Sequence, residues 1–202
     1  MNDIRSRHRV EALSEFDTEV PSDILDRDSE GVSPADEPDT ATLDLRPLGL
    51  QLSKPEVDFM ANLSPLIPTP RSAKRLVNLY RLVRIGIPDS DLAIFAGTQG
   101  DGQYQVVQIL LAVLIGSPEV AQSVFQKIMD APADSDVRAV FAEAVNAHSA
   151  EAGLYSHIGT ELDRIAKETP SLTLIEKYQT WCPRLARYSF HTRALVRLST
   201  PS

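Results

Sequence analysis

Arg71, Lys74, Arg75, Asn78 and Arg81 recur at spacings of three and four along one stretch of the chain. At about 100° per residue that spacing gathers them on one arc of a helix, centred near Arg71. Leu76, Leu79, Tyr80 and Val83 fall opposite, while Leu82 and Ile85 project within or near the polar arc. Arg71 occupies the first turn, where the helix dipole disfavours a cation. An anion held at the helix start would compensate it, and a phosphate is the natural choice. The same arc also reads as a basic face that covers a protein partner.

Other residue types capable of chemistry do not assemble. A phosphate-cradling loop needs the pattern G-x-x-x-x-G-K-[ST]. The glycine cluster Gly97, Gly100 and Gly102 has no following lysine and reads as a turn between helices. The histidines His8, His148, His157 and His191 lie far apart and lack the spacing of a zinc site. Cys182, between Trp181 and Pro183, has no neighbouring histidine to activate it and reads as a packed thiol. Arg184, Arg187, Arg193 and Arg197, interleaved with Tyr188, Phe190 and His191, are a mixture able to bind single-stranded nucleic acid, and read more simply as a solvated helix face or partners for the acidic tail. No Walker A loop, metal site or nucleophile constellation is present, so the chain is expected not to be an enzyme, with no metal and no cofactor of its own.

The elements that position these residues follow from apolar periodicity. From Leu48 onward the spacing is helical, with no run of strand-like alternation. Ser53 caps a first helix carrying Val57, Phe59, Met60 and Leu63, and the prolines of 65–70 break it. Thr69 or Ser72 opens the basic helix, which runs to about Arg84 and stops before Gly86 and Pro88. A short helix beginning at Asp89 or Ser90 ends at Gly97. Tyr104 to Ile115 is almost wholly apolar and predicts the buried centre of the domain. Further helices are expected over 118–129, 136–148 and 154–168, and a last one from near Thr173, interrupted or kinked at Pro183. The fold class is therefore all-α, a bundle of about seven helices with short loops.

Charge divides the 202 residues into two regions. Residues 1–47 hold 13 acidic and 5 basic side chains, and residues 48–202 hold 15 of each, so the net charge of -8 lies in the first region. The stretch from Ser14 to Asp44 mixes acids with Ser, Thr and Pro, and buries too little apolar surface to offset chain entropy. It predicts a disordered acidic tail or linker over 1–47, followed by a helical domain over 48–202. The tail is either a solvated linker or an acidic arm for a basic surface. The longest apolar run, Ile109 to Ile115, is far short of the ~18 residues of a membrane span. The start of the chain has no apolar core of a secretory signal, and one cysteine makes no internal disulfide, so the expected setting is the cytoplasm. The charge-neutral domain also argues against nucleic acid as a partner.

The string from Leu66 to Arg84 resembles the helical segment that follows the nucleotide-binding core in KAP-type P-loop NTPases and related bacterial proteins of the AAA+/STAND group. The shared pattern is P-R-x-x-K-R-x-x-N, met here by Pro70, Arg71, Lys74, Arg75 and Asn78. The resemblance covers about twenty residues and extends more weakly over Leu48 to Arg197. It implies that Arg71 stands where a sensor arginine reaches towards ATP on the core, flanked by Lys74 and Arg75. The family's Walker A loop, acidic Walker B strand and parallel sheet are missing from the chain. It would then be a C-terminal piece of a longer ATP-binding protein, or a relic that has lost the motor. On this reading the protein is a non-catalytic helical lid or regulatory module. ATP enters only with a separate NTPase core, which would be the partner. The alternative is an independent helical protein–protein interaction module.

Overall fold

The computed structural model describes residues 50–97, 102–147, 150–190, 192 and 195. Among them are eight α-helices: α1 (Lys54–Asn62), α2 (Pro70–Ile85), α3 (Asp89–Ala96), α4 (Gln103–Gly116), α5 (Pro118–Asp130), α6 (Val137–Ala147), α7 (Ala152–Glu168) and α8 (Ile175–Ala186). Single 3-10 turns, Ser64–Leu66 and Pro170–Thr173, precede α2 and α8. The all-α class is as expected, with the one isolated bridge between Asp136 and Leu174 forming no strand. The expected disorder of residues 1–47 lies outside the described residues.

Every residue from Tyr104 to Ile115 is buried. This follows from a helix apolar on all sides, which is stable only where neighbours surround it. Here α4 packs against α1, α2, α3, α5 and α8, and α6 and α7 pair with each other beside α5. The end of α4 passes so close to the turn before α2 that a Cβ on Gly116 would overlap the carbonyl oxygen of Leu66. Only glycine admits that approach.

Helix ends are closed largely by side chains from elsewhere. The guanidinium of Arg164 on α7 donates to the Asn62 carbonyl (2.7 Å) and to Asn62 Oδ1 (2.6 Å), which caps the end of α1. Gln179 Nε2 on α8 donates to the carbonyls of Ile128 (3.0 Å) and Ala131 (2.7 Å) at the end of α5. Thr192 Oγ1 donates to the Ala186 carbonyl at the end of α8, at 2.6 Å. Each bond answers a carbonyl that a helix terminus leaves unpaired. Of the two outcomes expected at Pro183, an interruption or a kink, the interruption does not occur, since α8 continues to Ala186. A proline at this position forgoes the N–H of one helical bond.

Candidate functional site

The basic helix α2 begins as the sequence requires. Thr69 Oγ1 accepts from the Ser72 backbone N–H at 3.1 Å, and Pro70 fills the first position, where no donor is needed. No acid lies in that first turn, so Arg71 stands against the helix dipole without local compensation. Leu76, Tyr80 and Val83 are buried, and Leu79 is half-buried. Arg71, Lys74, Arg75 and Asn78 are all exposed, together on one side. The structure thus brings four of the five residues of the arc onto a single exposed face, and the fifth, Arg81, is half-buried beside it. Arg71 has no hydrogen-bond or ion-pair partner among the described residues.

That face continues beyond the cations. Leu82 is 55% exposed and Ile85 43% exposed, one and two turns further along the same arc. The outer surface of α2 is therefore cationic over its first half and aliphatic over its second.

Sequence reading passed over the polar cluster beneath this helix. Glu56 of α1 is wholly buried, and its Oε1 accepts from Arg84 Nε at 2.8 Å and from the Tyr80 hydroxyl. Its Oε2 accepts from the Ser53 backbone N–H at 2.7 Å. Gln108 of α4 donates to the Glu56 backbone carbonyl at 3.1 Å. Burial first, and donation to the Glu56 carboxylate second, push the Tyr80 hydroxyl far above the ordinary tyrosine value. The phenol therefore stays a donor at any physiological pH. The signal was present as Ser53-x-x-Glu56, a capping box whose acid lies in the first turn. Tyr80 and Arg84, one turn apart on α2, were the partners. Both carboxylate oxygens point at protein donors, and a general base must instead reach a substrate proton. The cluster's role is to lock α1, α2 and α4 together.

The remaining candidates are dispersed. His157 is exposed, and its Nε2 lies 3.1 Å from the Pro65 carbonyl, while His8, His148 and His191 lie outside the described residues. Among the described residues no group of acids, histidines and cysteine has the geometry of a metal site. Cys182 is wholly buried, and burial pushes its thiol above the ordinary cysteine value. Gly97 turns the chain after α3 with φ 68°, a conformation that favours glycine, and Gly100 lies outside the described residues. Arg184 and Arg187 are exposed at the end of α8, and Arg193 and Arg197 lie outside the described residues.

A cleft runs between α3 and α8. It comprises two adjoining hollows of about 560 and 400 Å³ that share Ile94, Gln103, Thr180 and Trp181. Phe95 and Trp181 meet edge to face in its floor, with ring centroids 5.6 Å apart. The Arg184 guanidinium lies 4.9 Å from the Trp181 ring centre, and that of Arg187 lies 5.5 Å from the Tyr188 ring centre.

No family model, curated protein or solved structure matches the chain. No helix among the described residues is long and apolar enough to cross a membrane.

Proposed function

We propose that the protein is a non-catalytic helical interaction module whose docking face is the outer side of α2. The observation that carries this reading is the stripe Arg71, Lys74, Arg75, Asn78, Leu82 and Ile85, exposed along one helix with cations at one end and aliphatics at the other. Such a stripe fits a protein surface that offers carboxylates beside an apolar patch. The buried Glu56–Arg84–Tyr80 cluster holds α2 at a fixed angle on the bundle, which lowers the ordering cost of binding.

A second reading is favoured by the exposure of Arg71 in the first turn of α2, with no acid near it. It makes the partner a P-loop NTPase core and the module its lid, with Arg71 sensing a phosphate and Lys74, Arg75 and Asn78 flanking it. The resemblance of the segment from Leu66 to Arg84 supports this version. In it ATP is bound by the core, and the setting is a bacterial cytoplasm.

The test is a photo-crosslinking residue placed at Asn78 in the full chain in cells, with a control at Glu143 on α6. A partner captured at Asn78 alone is then purified. Its affinity should fall at least tenfold with Leu82→Asp and with Arg75→Glu, in proteins whose circular dichroism is unchanged. Equal binding by both variants rejects the docking face. If the partner is an NTPase, Arg71→Ala should lower its nucleotide-dependent activity by one to several powers of ten, on the order of the loss of an arginine at a transferring phosphate. Unchanged activity rejects the sensor version and leaves the interaction module.

A further inference from the structure

We propose that the cleft between α3 and α8 is a docking groove for the chain's own acidic segment, Glu15–Asp28. The groove asks for two things at once. Its wall at Ile94, 67% exposed, calls for a large apolar side chain, above a floor that Phe95, Trp181 and Leu185 close from beneath with little exposed surface of their own. Arg184 and Arg187 call for carboxylates. Each guanidinium is held over an aromatic ring, so its N–H edge is oriented before any ligand arrives. Among the described residues Asp91 is the one acid lining the larger hollow, against Arg184 and Arg187, and Glu176 and Lys177 both line the smaller one.

Glu15–Asp28 answers both demands. It carries Phe16, Val20, Ile24 and Leu25 among six acids and a single basic residue, Arg27. Between residues 29 and 47 the large apolar side chains thin out to Val32, Leu43 and Leu45. At a helical rise of about 1.5 Å per residue, the groove from Glu176 to Tyr188 is roughly 18 Å long, or five to six extended residues. That accommodates one apolar pair, Ile24 with Leu25, together with its flanking acids Asp23 and Asp26.

Reach is no obstacle. The 21 residues from 29 to 49 span up to roughly 70 Å when extended, against a radius of gyration of about 15 Å for a folded domain of this size. A tether of this kind holds the segment at an effective concentration of order millimolar, so a contact that is weak between separate molecules is occupied within one. Docking here leaves the outer side of α2 uncovered, and the proposal stands or falls independently of the function proposed above.

The test uses the full chain carrying Ser22→Cys with a nitroxide spin label, while buried Cys182 stays unlabelled. Amide signals of Thr180, Arg184 and Tyr188, and the indole signal of Trp181, the only tryptophan, should lose most of their intensity. Signals of α6 and α7 should keep theirs. The loss should vanish in Phe16→Ser/Ile24→Ser/Leu25→Ser and in Arg184→Glu/Arg187→Glu. Adding Asp23→Lys/Asp26→Lys to the latter should restore it, which also shows that the groove variant folds. Broadening that is absent, spread over the whole domain, or undiminished in either variant overturns the proposal. So does broadening seen only between a spin-labelled chain and a separate isotope-labelled chain, which assigns the groove to a second copy.

Discussion

Glu56 shows how one residue joins three helices. Its carboxylate is inaccessible to water and receives three protein donors, from Ser53, Tyr80 and Arg84, while its backbone carbonyl receives Gln108. A buried ion pair adds little net stability over apolar residues of equal size, yet removing one partner strands the other charge. Glu56→Ala is therefore expected to cost about 3–5 kcal/mol, read as a lower urea midpoint. The triple change Glu56→Met/Arg84→Met/Tyr80→Phe should recover most of that loss. A triple variant as unstable as Glu56→Ala would show that the cluster contributes packing that methionines cannot replace.

At the scale of elements, the helices were legible because their apolar spacing and their stop signals agree. Thr69 and Gly97 lie at the boundaries where their chemistry put them. The basic face of α2 was legible for the same reason. What could not be read were contacts between residues distant in sequence: Arg84 with Glu56, Arg164 with Asn62, and Gln179 with the end of α5. Nothing local distinguishes Arg84 from the exposed Arg75 until the packing of α1 is known. Gln105 and Gln108 were likewise hidden inside an apparently apolar helix. Asp136 belongs to the legible class, since it precedes α6 and accepts from the Arg138 backbone N–H at 2.8 Å. Hydrogen bonding from the Arg138 side chain, against a smaller opposing effect of burial, holds its carboxyl below the ordinary aspartate value. Because the folded value is depressed, its stabilisation is full above the unfolded value and is lost as pH falls through the folded one. Asp136→Asn should therefore lose stability near neutral pH and show a flatter decline below about pH 4, the unfolded aspartate value. Parallel acid-unfolding curves for the two proteins would remove Asp136 from that account.

At the scale of the molecule, α4 touches at least five of the other seven helices among the described residues, so disturbance at one edge should be felt at the other. Cys182 provides a probe of this. It lies in α8, wholly buried, at the opposite end of the described chain from Glu56 in α1. Its thiol is held up by burial, so it reacts with a thiol reagent only when the structure opens. When closing is faster than labelling, the labelling rate is proportional to the population of the open form. If the bundle opens as one cooperative unit, the 3–5 kcal/mol lost in Glu56→Ala should appear in full at Cys182. Labelling there should then accelerate roughly a hundred- to several-thousand-fold. The same ratio should be obtained from the shift in unfolding free energy measured by denaturant. A rate at Cys182 that stays at the wild-type value while the denaturant midpoint falls would mean that α8 opens on its own. It would also separate the groove it lines from the face presented by α2.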